Sequence, residues 1–193
     1  MKKLLFFILL IPFYAAAQRL PYEAMLKVRI TEADKTTVAE IRPVDNEPDI
    51  ETDRLYYWYS ANRIHQTQGG YSGKLLNGLF EEYYLNKNLK TQGSFKKGLK
   101  SGIWKSWNDN GSLSEETAWK NGFKSGHFFR YDNAGHLKET GKYKNDVLSG
   151  KVTQINDKGT AEITWYKKGV AVKSRTKSFW KKLKLPHWHK RKA

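Results

Sequence analysis

From residue 71 onward the apolar positions of this chain recur at a fixed step of 24 residues. Tyr71, Phe95, Trp119 and Tyr143 form one column, and Phe80, Trp104, Phe128 and Val152 form a second. Tyr83, Trp107, Tyr131 and Ile155 form a third, and Leu89, Leu113 and Leu137 a fourth. The glycines keep the same step, at Gly78, Gly102, Gly126 and Gly150 and again at Gly111, Gly135 and Gly159. A constant period of this length marks a repeat architecture, in which each unit is one supersecondary element. The fourth unit is one residue shorter, and a partial fifth opens at Trp165-Tyr166-Lys167-Lys168-Gly169. Upstream, Tyr56, Tyr59 and Asn62 fall in register with Phe80, Tyr83 and Asn86, which predicts a degenerate unit before Tyr71.

Each unit reads as two short strands joined by two kinds of turn. Lys97-Gly98, Asn121-Gly122 and Asn145-Asp146 occupy one turn, and such pairs suit the positive φ angles of a two-residue hairpin loop. The other turn is a polar triplet closed by glycine, as in Asn108-Asp109-Asn110-Gly111. That chemistry fits a type I turn followed by a left-handed glycine bulge. After this turn the pattern alternates, so Leu89, Thr91, Gly93 and Phe95 are expected on one strand face. Before it, Trp104 and Trp107 stand three apart, which breaks alternation and predicts a bulge, a bend, or one ring on the opposite face.

A lone hairpin cannot bury its aromatic rings, so successive units must pair into a continuous sheet. The predicted fold is therefore all-β, an elongated antiparallel β-hairpin repeat array with a small N-terminal cap and a basic C-terminal tail. The boundaries are 1–17 for a signal peptide, 18–53 for N-terminal strands and linker, 54–170 for the repeats and 171–193 for the tail. Strand-like 26–30 and 37–41 supply the cap, and 42–53, with two prolines and several acids, reads as the linker.

The segments Gly-Ile-Trp-Lys-Ser-Trp-Asn-Asp-Asn-Gly-Ser-Leu (102–113) and Trp-Lys-Asn-Gly-Phe-Lys-Ser-Gly-His-Phe-Phe-Arg-Tyr (119–131) resemble the MORN repeat in its bacterial variant. Chains of that variant are often labelled YwqK-family antitoxins. The resemblance covers about 54–170. It implies a binding module, because MORN arrays serve as scaffolds, protein-binding surfaces or binders of acidic lipids. The pattern departs at Lys74 and Lys87, which replace turn residues, and at Val152 and Ile155, which replace aromatics.

The N-terminus changes the picture of where such a module acts. Lys2-Lys3, an apolar run from Leu4 to Tyr14, and Ala15-Ala16-Ala17 before Gln18 form the pattern of a secretory signal. The expected location is exported: periplasm, cell envelope or secreted. With no cysteine in the chain, lipoprotein anchoring, disulfides and thiolate metal sites are excluded. The formal net charge is +16, of which +14 remains after Lys2 and Lys3 are removed. Nine lysines and arginines and no acid fall from Lys173 to the end, leaving +5 on 18–172. Basicity is thus concentrated in the tail, where it bears on partners rather than on architecture.

In the tail, Phe179, Trp180 and Leu183 share one face of a short helix that Pro186 would stop. Phe179, Trp180, Lys181, Lys182, Lys184, Trp188, Lys190, Arg191 and Lys192 are the expected contacts to an anionic surface, because Trp and Lys together suit a membrane interface. His187 and His189 lie on one side of an extended segment but make a poor metal site. No metal, cofactor or catalytic residue is assigned. Glu81-Glu82 and Glu115-Glu116 are adjacent in sequence and point to opposite faces of a strand. Trp104, Trp107, Trp119, Phe128 and Tyr131 are packing residues first, and candidate partner contacts if one row is exposed.

The sequence thus points to an exported, non-enzymatic repeat scaffold that binds a protein or envelope polymer, with the tail attaching to an anionic membrane surface. Nucleic acid and disulfide-linked partners are not expected. The alternatives are an antitoxin-type inhibitor of a specific protein, and a cell-wall glycan-binding protein or enzyme.

Overall fold

The computed structural model describes residues 25–44 and 46–173. The expected signal segment 1–17, the expected tail contacts from Phe179 to Lys192, and the two tail histidines lie outside the described residues.

The described chain is all-β, as the repeat pattern requires. The N-terminal cap is a hairpin of β1 (Leu26–Thr31) and β2 (Lys35–Ile41). The repeats supply β6 (Gly78–Tyr84), β7 (Leu89–Lys96), β8 (Leu99–Trp107), β9 (Leu113–Lys120), β10 (Phe123–Tyr131) and β11 (Leu137–Lys144). They continue through β12 (Val147–Leu148), β13 (Gly150–Ile155), β14 (Ala161–Lys167) and β15 (Val170–Val172). All of these join one antiparallel sheet in the order β1-β2-β6-β7-β8-β9-β10-β11-β13-β14-β15, with β12 alongside β11. The cap completes the sheet by pairing β2 with β6, Ala39 opposite Phe80.

The unit before Tyr71 behaves differently from its sequence register. Its hairpin, β3 (Leu55–Ser60) and β4 (Arg63–Gln68), does form, but it leaves the long sheet. With β5 (Lys74–Leu75) it makes a separate three-stranded sheet. Tyr57, Tyr59 and Ile64 pack against Phe80, Phe95 and Trp104 of the long sheet. Backbone bonds fix the two layers: Tyr57 N–H donates to the Gly98 carbonyl (2.8 Å), Leu76 N–H to that of Tyr57 (3.0 Å), and Gly98 N–H to that of Leu76 (2.8 Å). The physical cause is burial. An apolar sheet face must be covered, and the Tyr-rich hairpin covers the N-terminal half of this one.

The turns carry the predicted chemistry. Lys97, Asn121 and Asn145 take φ of 52°, 49° and 49°, each followed by another positive φ at Gly98, Gly122 and Asp146. The turns also tie neighbouring units together. Gly122 N–H donates to Lys100 (3.0 Å), Asp146 N–H to Lys124 (3.0 Å) and Gly169 N–H to Leu148 (3.0 Å).

The spacing of Trp104 and Trp107 resolves into a bulge together with a change of face. Trp104 opposes Thr117, Ser106 opposes Glu115, and Trp107 opposes Leu113, so Ser114 is the extra residue. The same shift follows Glu82 in β6 and Arg130 in β10. One expectation is corrected here. Leu89 pairs with Tyr83 while Thr91 pairs with Glu82, so the bulge takes Leu89 out of the alternation of Thr91, Gly93 and Phe95.

Candidate functional site

The structure separates the sequence-selected aromatics by depth. Trp104 is 5% exposed and Phe128 is fully buried, so both pack in the core rather than on the open sheet surface. Trp107, Trp119 and Tyr131 are half-buried. Trp119 packs against the core cluster from its edge. In β8, Trp107 lies an odd number of positions from Trp104, on the face away from the β3–β4 hairpin.

That outer face repeats its chemistry at every unit. Lys96, Lys120 and Lys144, all exposed, end β7, β9 and β11 just after the buried or half-buried aromatics Phe95, Trp119 and Tyr143. Two strands separate each lysine from the next, roughly 10 Å at the usual strand spacing. Leu79 and Ile103, 51% and 50% exposed, share this face.

On the inner face, the hairpin and the long sheet enclose a cleft of about 470 Å³. Its apolar wall includes Tyr57, Ile64, Phe80, Phe95 and Trp104, and its polar lining includes Lys35, Glu82, Thr91, Lys100 and Ser106. These residues are far apart in sequence. The cap supplies Lys35 through its pairing with β6 (Lys35 opposite Tyr84), and β6 supplies Glu82. Lys35 Nζ bonds Glu82 Oε1 at 2.7 Å and reaches Glu32 Oε2 at 3.6 Å. Burial pulls the Lys35 ammonium down, but the bond and the charge of Glu82 prevail and hold it above the usual lysine value.

Lys100 is arranged differently. Its Nζ lies 4.1 Å from the Trp104 ring centroid, 4.8 Å from that of Trp119 and 5.7 Å from that of Tyr57. Among the described residues no carboxylate comes within 4.0 Å of it. Burial pushes this ammonium below the usual lysine value; Glu82 opposes the shift and the like charge of Lys124 adds to it. The aromatic faces stabilise the cation in place of a counter-ion. The Trp104 side chain lines this cleft, and its Nε1 is buried with no hydrogen-bond partner among the described residues.

Sequence reasoning selected Trp104 here but missed Lys35, Glu82 and Lys100. One signal was readable: Lys100 and Lys124 stand in the column that Leu76 and Leu148 occupy in other units. Among the described residues no three His, Asp or Glu side chains gather as a metal site.

Comparison with protein-family models gives no match to this chain. Comparison with curated proteins gives none at a significant level.

Proposed function

We propose that this protein is an exported binding scaffold of the MORN-like kind. On this reading the repeat sheet holds an acidic protein or envelope polymer, and the basic aromatic tail attaches the molecule to an anionic membrane surface. The supporting observation is recurrence. Lys96, Lys120 and Lys144 present the same exposed cation at matching places on one continuous sheet, with Leu79 and Ile103 beside them. A regular row of like charges is suited to an extended partner with regularly spaced anions, and such contacts are weakened by salt. The tail contributes on the same principle, each lysine or arginine near an anionic surface adding about 1 kcal/mol of attraction.

The test uses two ligands. The exported form, 18–193, should pellet with phosphatidylglycerol liposomes and be released by salt, whereas a 18–172 truncation should not pellet. The truncation should still bind poly-L-glutamate, and Lys96→Glu, Lys120→Glu and Lys144→Glu together should abolish that binding. Loss of neither interaction in these variants would overturn the reading.

A further inference from the structure

The inner cleft has an unmatched set of donors, and this goes beyond the scaffold reading. Its charged lining is balanced in number but not in pairing. Lys35 is engaged by Glu82 and Glu32, while Lys100 has no carboxylate in ion-pair range among the described residues. Next to that ammonium stands a second idle donor. Lys100 Nζ lies 4.1 Å from the ring centroid of Trp104, whose Nε1–H is buried and has no partner among the described residues. A buried donor left without an acceptor costs on the order of 1–3 kcal/mol, so an acceptor oxygen brought to this place would recover that cost and neutralise the cation.

We propose that the cleft between the β3–β4 hairpin and the long sheet is a binding site for a small monocarboxylate with a flat apolar body. Its carboxylate accepts from Lys100 Nζ and Trp104 Nε1, and its body rests among Tyr57, Phe80 and Phe95. The cleft volume, about 470 Å³, falls in the usual range for small-molecule sites. A single negative charge is specified by the lining. Of the two lysines that line the cleft, only Lys100 lacks a carboxylate in ion-pair range among the described residues, and Glu82 and Glu32 at the Lys35 side repel a second anionic group. A phosphate dianion therefore fits less well than a carboxylate. The hydroxyls of Thr91 and Ser106 offer further polar contacts to a ligand substituent. Lys100 is also suited to the role by its surroundings, since an ammonium held by ring faces keeps its N–H groups available to an incoming oxygen.

The probe is benzoate, with benzamide as its neutral isostere, titrated into the full-length chain and followed by the indole N–H resonances. The Trp104 signal is identified as the one missing from Trp104→Phe. Benzoate should shift that signal downfield in a saturable way, and benzamide should bind at least tenfold more weakly. Lys100→Met, which keeps the aliphatic stem between the rings, should lose at least tenfold in benzoate affinity. The proposal is overturned if benzoate gives no saturable shift, which would mean that the cleft is merely hydrated. It is equally overturned if benzamide binds as well as benzoate, or if a folded Lys100→Met chain retains benzoate affinity. The benzoate–benzamide comparison needs no variant, so it decides the question even if Lys100→Met fails to fold.

Discussion

The indole of Trp104 lies directly over Gly93, so close that a β-carbon built on the glycine would collide with the ring. Gly93 is part of an alternation that runs across the long sheet: Phe80, Gly93, Trp104, Thr117, Phe128, Gly141, Val152. Phe80 opposes Gly93, Trp104 opposes Thr117 and Phe128 opposes Gly141. At Gly141 an added β-carbon would stand 2.8 Å from both Phe128 and Val152 side chains. Large and small residues thus interleave, and each ring is accommodated by the small neighbour beside it.

Gly93→Ala should therefore destabilise the protein through packing alone, since its φ is one that alanine can adopt. The expected loss is about 1–3 kcal/mol, the usual cost of overfilling a packed core. Chemical denaturation of the variant checks this. A loss below a few tenths of a kcal/mol would show that Trp104 can move aside freely.

The glycine-bulge turn of the first unit lacks its glycine. Lys87 stands where Gly111, Gly135 and Gly159 stand later, and it adopts φ 69°. Its N–H still closes the turn, donating to the Tyr84 carbonyl at 2.9 Å. An L-residue in this conformation costs roughly 1–2 kcal/mol. Lys87→Gly should thus stabilise the chain by about 1 kcal/mol, and Gly111→Ala should destabilise it by a similar amount. Thermal melts of both variants should move in opposite directions; a shift of the same sign in both would refute the argument.

The period and the turn chemistry were legible in the sequence because both are local. Asn121-Gly122 requires its turn wherever it stands, and the recurrence of Phe80, Trp104 and Phe128 fixes a common register. The break in alternation between Trp104 and Trp107 was legible too, but its form was left open between a bulge, a bend and a change of face, and the extra residue, Ser114, lies on the strand after the turn rather than before it. The placement of the β3–β4 hairpin was not. Tyr56 and Tyr59 match the columns of Phe80 and Tyr83, and nothing local tells a strand that pairs in line from one that folds over. That choice is made by the uncovered aromatic face formed by Phe80, Phe95 and Trp104, which exists only after the sheet has assembled. The cleft is a product of the same event, so Lys35, Glu82 and Lys100 carry no joint signal in the sequence.

The long turns are linked by side-chain amides, and one link is missing. Asn86 Nδ2 donates to the Asp109 carbonyl at 3.0 Å, and one unit later Asn110 Nδ2 donates to that of Asn133 at 3.0 Å. Ala134 occupies the next place in this column and has no such donor; there Lys138 Nζ bonds Asp157 Oδ1 at 2.6 Å instead. Ala134→Asn should supply the bond to the Asp157 carbonyl and stabilise the chain by about 0.5–1 kcal/mol, the net value of an ordinary hydrogen bond. Hydrogen exchange should slow in the turn at 156–160. Unchanged exchange and melting would show that the amide does not reach.

Acid should weaken the junction between cap and repeats. Glu40 is buried, 7% exposed, and its Oε2 accepts from Leu79 N–H at 3.0 Å and from Arg42 Nη2 at 2.9 Å. The Leu79 N–H bond, reinforced by Arg42, outweighs burial and holds the carboxyl below the usual glutamate value. A carboxylate whose folded pKa is depressed contributes stability that is fully present above its unfolded value, about 4.3, and is lost as pH falls through the folded value. Glu40→Gln removes this titration while keeping the side-chain shape. The variant should be less stable than the parent at pH 7, and the difference should shrink steadily below about pH 4. Denaturation midpoints measured from pH 7 to pH 2 provide the check. A stability gap that stays constant across that range would assign the loss to packing and remove Glu40 as the acid-sensitive tie between β2 and β6.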